Sequence, residues 1–339
     1  MVYIFGGISL DIIASKKCFD FGTSNPLKFS IRIGGVGFNI LNHLEYNHNI
    51  FISAIGNDAF GQLVVEKVKN QNFNITIQNI GTVFCLEDAS EKVDNKNNKV
   101  NSNESNDSPS KKRAQIYEDR PSFKVFGDNF DYNICLIKND KYQTSIYSAF
   151  MEGGNCLVAA ADFEIIEKTL TFDIIHPILE KVESKDICVI DSNLDPEECE
   201  KIILFLNSKG CIIFFETISL QKTLRVAPIL KNIFFTAPDV IEFNALLEGY
   251  STVEEMIRDR NIQYILKTDG KNGSILYGLD LKEPIHFKPP EELAVYDTTG
   301  AGDFLLSKII EAFLMSKKIE ESINYASEKV VEYLKELNR

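Results

Sequence analysis

Asp297, Thr298, Thr299, Gly300, Ala301, Gly302 and Asp303 run directly into an apolar, helix-period stretch from Phe304 to Leu314. A helix that starts behind two glycines and an alanine presents the N–H groups of Gly300, Ala301 and Gly302 at its positive end, where anions are attracted. A carboxylate in that first turn would repel a phosphate. Asp303 has another task open to it: taking the proton from a hydroxyl that attacks the phosphate. The same residues also read as a glycine-rich turn in which Asp303 only stabilises the helix start. The choice depends on what else converges there.

Three upstream segments carry suitable residues. In Gly6-Gly7-Ile8-Ser9-Leu10-Asp11, an Asp just past a first strand can accept hydrogen bonds from a polyol or close a turn. In Gly34-Gly35-Val36-Gly37-Phe38-Asn39, glycines let a ligand approach the backbone, and Asn39 offers a donor and an acceptor. In Thr236-Ala237-Pro238-Asp239-Val240-Ile241-Glu242, carboxylates at i and i+3 share a helix face near a strand end. Asp239 and Glu242 suit magnesium held through its waters. They equally form an N-terminal capping box, which is how the spacing reads when taken alone.

The elements that must position these residues are clearest from about residue 160 onward. Apolar runs at 186–191, 211–216, 233–236, 264–268 and 274–277 read as strands, and 196–206, 218–230, 240–247 and 253–258 as helical. Continuous apolar strands alternating with helices imply βαβ units and a parallel sheet covered on both faces. The fold class expected is doubly wound α/β with a mainly parallel sheet. Its ligand crevice lies beyond the carboxyl ends of the strands, where Asp191, Glu216, Thr236 and Thr268 fall. Before residue 150 the pattern is less regular. A strand precedes Gly6, a helix follows Gly37 to about Tyr46, and 51–56 and 61–69 read as strand and helix. Segments at about 11–33 and 142–160 could form a second, small sheet. Residues 88–120 include a polar tract, 95–110, with Val100 as its one large apolar residue. It reads as a disordered insert within a single domain spanning 1–339.

The net charge of −13 argues against a general nucleic-acid binder, and no apolar run approaches a membrane span. The first residues read as a strand and not a signal peptide. Seven cysteines without a C-x-x-C pair, several of them in apolar runs, read as reduced core residues of a cytoplasmic protein.

In this order the four segments resemble the ribokinase-like (PfkB-type) family of carbohydrate kinases, most specifically through Asp297–Asp303. The resemblance implies an ATP-dependent kinase with a small β-sheet lid, a sugar or nucleoside substrate, and a possible homodimer through the lid. It makes Asp303 the base and Gly300, Ala301 and Gly302 the anion hole. Asp11, Gly34, Gly35 and Asn39 would grip the sugar. Asp239 and Glu242 stand where the family has Asn-x-x-Glu acting on Mg²⁺ and phosphate, so here an Asp replaces the Asn. Thr268, Gly270 and Gly273 match a nucleotide turn, and Asp297 and Thr299 match positions that ligate a monovalent cation such as K⁺ in many members.

Within the family, 22–26, 34–39, 161–165, 191–194 and 216–222 are similar to pseudouridine kinases. That likeness implies phosphorylation of the pseudouridine 5′-hydroxyl. Thr23, Ser24 and Asn25 could read the base or form a turn closed by Pro26. Asn193 could read the substrate, and Lys222 could approach the ATP phosphates. Two departures stand out: Glu216-Thr217 where the family has Glu-Pro, and Phe38 where it has Arg, which removes a possible cation near the site.

Overall fold

Val2-Tyr3-Ile4-Phe5 is apolar on both faces, and all four side chains are buried, as a strand at the centre of a two-sided sheet requires. The protein is seen here as a computed structural model. It describes residues 1–80 except 47 and 72, 133–291 except 154, residue 293, and 298–338 except 317. The whole of the 88–120 insert, and Asp297, lie outside the described residues.

In chain order the strands are β1 (Val2–Phe5), β2 (Ser9–Lys16), β3 (Phe29–Gly34), β4 (Asn49–Gly56), β5 (Asn74–Asn79), β6 (Asn133–Asn139), β7 (Ile146–Glu152), β8 (Asn155–Asp162), β9 (Ile187–Asp191), β10 (Ile212–Glu216), β11 (Phe235–Thr236), β12 (Tyr264–Thr268), β13 (Ser274–Gly278) and β14 (Ile285–Phe287). The helices are α1 (Val36–His43), α2 (Ala59–Lys69), α3 (Glu164–Thr169), α4 (Phe172–Leu179), α5 (Pro196–Ser208), α6 (Leu220–Val226), α7 (Val240–Leu247), α8 (Val253–Arg260), α9 (Ala301–Ser316) and α10 (Ile319–Leu337).

The main sheet has ten strands in the order β14-β13-β12-β11-β10-β9-β1-β4-β6-β5. From β5 through β12 the strands run parallel; β13 and β14 turn back antiparallel. The strand order reverses at β1, with β4 on one side and β9 on the other. That is the switch point at which a crevice opens beyond the carboxyl ends. On one face, Tyr3, Phe5, Ile190 and Phe215 pack with Ile165, Ile178, Ile202 and Leu206 from α3 to α5. On the other, Ile4, Phe51, Val189 and Phe214 pack with Phe38, Leu41, Ile310 and Phe313 from α1 and α9. Each such side chain, fully buried, contributes about 1.5–3 kcal/mol.

The doubly wound architecture and the second sheet agree with the sequence reading. The smaller sheet is ordered β3-β2-β7-β8 and leaves the main one in two excursions, after β1 and after β6. One of its faces carries Arg32, Asp11, Tyr147 and Ala161 in a row of register partners. Its opposite face carries Phe29, Ile31, Phe150 and Val158, all exposed.

Several elements carried no clear sequence signal. β5 is a polar edge strand, and the α3–α4 region is interrupted by short turns and Pro177. The helix read at 218–230 is confined to α6, because Ile218 has φ +68 and the chain turns after Ala227. Among the described residues no helix is long and apolar enough to cross a membrane. Six cysteines are described as free thiols, with 135, 188 and 199 buried.

Candidate active site

The crevice floor begins where β1 ends. Gly7 N–H donates to Asp191 Oδ2 at 2.8 Å, across from the end of β9. Asp191 also accepts from Asn193 N–H at 3.0 Å and Asn193 Nδ2 at 3.1 Å. Burial raises its pKa, and these donors together with Lys222 oppose the rise. Lys222 donates to Asn193 Oδ1, and its ammonium lies 4.4 Å from the centre of the Phe163 ring. Burial lowers the Lys222 pKa, with Asp191 pulling the other way. The structure thus places Lys222 in the floor beside Asn193. None of its described contacts reaches the Thr268–Gly273 turn.

Above the floor, α1 starts at Gly35, whose φ is +92 and whose missing Cβ would stand 2.5 Å from Gly7 O. Only glycine meets both conditions. The following helix brings Asn39 to Asp303, with Asn39 Nδ2 donating to Asp303 Oδ2 at 2.7 Å. Asp303 sits in the first turn of α9, which begins after the Gly300 turn (φ +76) and the bond from Ala301 N–H to Thr298 O at 3.1 Å. Protein mass around the carboxyl pushes its pKa up to about 7; Asn39 opposes the rise, and negative Asp191 and Asp11 add to it.

Asp11 enters from β2. Ser9 Oγ donates to its Oδ1 at 2.7 Å, and Arg32 Nε lies 3.9 Å from its Oδ2. Burial raises the Asp11 pKa against both. Gly34 ends β3 opposite Ser9, beside the same carboxylate. Arg32 carried no sequence signal, because it joins Asp11 only through strand register. Phe38 packs in the core against Phe51 and Phe73, so its substitution for Arg is a core change, and the lid supplies a cation of its own.

At the ends of β10 and β11 the capping box is present in full. Asp239 accepts from Glu242 N–H at 2.8 Å, and Asp239 N–H donates to Glu242 Oε2 at 3.1 Å. Thr217 Oγ1 donates to the same Glu242 oxygen at 2.8 Å. Glu216, not singled out as a site residue from sequence, is buried, and its pKa is raised well above the carboxylate range by burial, then by Asp303 and Glu242. Thr268 is bridged to Asp239, and the chain beyond it turns through Gly270, closed by Asp269 N–H to Gly273 O at 2.8 Å. The two predicted nucleotide-side segments are therefore neighbours.

The resemblance implies two kinds of metal ion at this site. Hard carboxylate oxygens at Glu216 and Glu242, mutually repelling, suit Mg²⁺ that keeps most of its water. Among the described residues no three ligands converge to hold a metal directly. The monovalent-cation positions differ: Asp297 lies outside the described residues, and the Thr299 carbonyl accepts from the Tyr333 hydroxyl at 3.0 Å.

The loop expected from the sequence to read the base, 23–25, is closed by one of its own side chains. Thr23 and Ser24 are exposed, and Asn25 fastens its own loop: its Oδ1 accepts from Lys16 Nζ at 2.7 Å and Asp20 N–H at 2.9 Å, and its Nδ2 donates to Asp20 O and Thr23 O.

Residues 132–329 match the sequence pattern described as pfkB family carbohydrate kinase. This chain belongs to that family. The family makes it an ATP-dependent sugar kinase, a phosphotransferase to an alcohol. The chain is 21% identical over 335 residues to the pseudouridine kinase of Escherichia coli (strain K12), covering 96% of this chain and 87% of that one. In fold it is similar to a carbohydrate kinase from Agrobacterium tumefaciens, with TM-score 0.65, 20% identity and 96% and 88% of the two chains covered. It is also similar to a ribokinase from Giardia lamblia, with TM-score 0.66, 13% identity and 96% and 90% covered. In this carbohydrate kinase the surroundings of Asp303 combine a carboxyl with its pKa pushed up to about 7, the start of α9, and the Asp11–Arg32 pair of the smaller sheet.

Proposed function

We propose that this kinase transfers the γ-phosphoryl group of ATP to the 5′-hydroxyl of pseudouridine. The observation that carries the chemistry is Asp303, held by Asn39 at 2.7 Å at the start of α9 with its pKa pushed up to about 7. A base poised near the working pH is the effective one. Asp303 takes the hydroxyl proton, the oxygen bonds to the γ-phosphorus, and the bond from that phosphorus to the bridging oxygen breaks, leaving ADP. The N–H groups of Gly300 and Gly302 would face the charge that builds on the transferring group, while the Ala301 N–H, expected from the sequence to join them, donates to Thr298 O at 3.1 Å. Asp11, Gly34, Gly35 and Asn39 orient the sugar, and Asn193 borders its place on the floor. Thr268, Gly270 and Gly273 line the nucleotide side. Glu242, Glu216 and Asp239 would hold Mg²⁺, which supplies neutralising charge to the phosphates when bound. K⁺ at Asp297 and Thr299 is not part of this proposal, because Tyr333 already holds the Thr299 carbonyl.

A nucleoside is favoured by the likeness to the Escherichia coli enzyme and by Arg32, a donor on the Asp11 face of the lid that suits base carbonyls. A single domain with the insert at 88–120, a cytoplasmic location and a homodimer through the lid belong to the same proposal. The exposed Phe29, Ile31, Phe150 and Val158 support the dimer. Turnover on pseudouridine, uridine, adenosine, ribose and fructose tests it, with pseudouridine expected to give the highest kcat/KM. A clear preference for ribose, fructose or adenosine would leave the sugar-kinase activity standing and remove the pseudouridine assignment. ATP binding without turnover of any acceptor would favour a non-catalytic relative.

A further inference from the structure

The turn that carries Asp303 is held from outside by the C-terminal helix. Tyr333, on α10, donates its hydroxyl to Thr299 O at 3.0 Å. Its ring stacks on Phe304, with centroids 4.4 Å apart and planes 15° apart. The same hydroxyl lies 3.2 Å from where a Cβ on Gly300 would stand. One side chain therefore touches the chain on both sides of Asp303. His43 completes the clamp. It meets Phe304 edge-on at 5.1 Å and Tyr333 at 5.4 Å. It also lies one helical turn after Asn39 on α1, so Asn39 and His43 face the same way. Asn39 holds the Asp303 carboxylate while His43 packs against the next residue along.

We propose that Tyr333 is a positioning residue for phosphoryl transfer, its phenol holding the Thr299 carbonyl in place of a monovalent cation. Backbone carbonyls of the Thr298–Gly300 turn concentrate partial negative charge just outside the helix start, and Thr298 O is answered by Ala301 N–H. Thr299 O needs a positive partner to keep the turn in shape. A cation would provide one, and a phenolic O–H fixed by ring stacking provides another with no ion to lose. Displacements of about 1 Å at such a turn can change turnover by ~10²-fold.

The inference rests on the Gly300–Asp303 turn as the transfer site, and its test has one arm that does not need turnover. Tyr333→Phe keeps the stack and removes the hydroxyl. Its kcat is expected to fall about 10–100-fold. The KM values for ATP and acceptor should stay within about threefold, and the melting temperature should be nearly unchanged. Replacing K⁺ by Na⁺ at constant ionic strength should change wild-type turnover by less than about twofold, while Tyr333→Phe should become K⁺-activated. Amide hydrogen exchange in the peptide covering 298–306 should be faster in Tyr333→Phe than in wild type, whatever role Asp303 has. Wild-type dependence on K⁺, wild-type-like kcat in Tyr333→Phe, or unchanged exchange in that peptide each overturns the proposal. Loss of activity in Asp303→Asn with these three expectations met supports both readings. Retained activity in Asp303→Asn with faster exchange in Tyr333→Phe removes the base assignment alone.

Discussion

The crevice floor and the lid satisfy their polar groups to different degrees. In the floor, Asp191 has three donors, Glu242 accepts two hydrogen bonds at one oxygen, and Lys222 is held by Asn193. In the lid, Asp11 has one short bond to Ser9, and its ionic partner Arg32 stands at 3.9 Å with 46% of its side chain exposed. The floor is therefore organised before any ligand arrives, whereas the lid keeps donors that a substrate can still recruit. Fixed groups stabilise a transition state without reorganising, and adjustable ones select what is bound. Rate should follow the floor and its helix start, and substrate preference the lid.

The largest break expected is Asp303→Asn. The amide keeps the size and the contact with Asn39 but cannot take the proton, so turnover should fall ~10²–10⁴-fold while ATP binding by calorimetry is retained. The melting temperature above pH 7 should be equal to or higher than wild type. The folded-state pKa of Asp303 is raised, so charging it opposes folding at high pH, and the neutral amide escapes that. The same raised pKa fixes a pH profile: kcat/KM should rise as pH increases through about 7 and level off above it, as the base loses its proton. A profile flat from pH 5.5 to 8.5 would exclude Asp303 as the titrating base.

Next in size is Gly35→Ala, which puts a side chain at φ +92 and 2.5 Å from Gly7 O. Such strain costs roughly 1–3 kcal/mol and should tilt α1 away from the floor. Melting temperature and kcat should drop together, and unchanged values would show the junction to be pliable. Arg32→Ala is smaller and confined to selection. We expect KM for the preferred nucleoside to rise about threefold to tenfold, as for a partly exposed charge, with kcat nearly constant. A fall in kcat with constant KM would move Arg32 from the adjustable region to the fixed one. Removing residues 95–110 should do least, leaving turnover and melting temperature almost unchanged. A large loss in either would give the insert a place in the comparison.

The floor was mostly readable in the sequence, and the lid chemistry mostly was not. Asp191, Glu216 and Thr268 follow from strand direction, because a buried parallel strand declares its own carboxyl end. The Asp239–Glu242 box follows from local spacing. Arg32 is different: its relation to Asp11 exists only through antiparallel register across the intervening loop, which no local pattern encodes. Tyr333 and Thr299 are 34 residues apart and meet through helix packing, so neither signalled the other. Asn25 shows the reverse case. Its donors and acceptors suggested recognition of a base, yet the loop uses both side-chain groups to close itself.

Glu242 has a consequence for inheritance. It caps α7 and anchors Thr217, so a lineage that abandoned phosphoryl transfer would still be penalised for losing it. Its presence in a descendant would therefore say little about activity. Asp303 differs: among the described residues its side chain bonds only to Asn39, and burial beside Asp191 and Asp11 works against its charge. Released from selection for turnover, this position would gain stability from a neutral side chain.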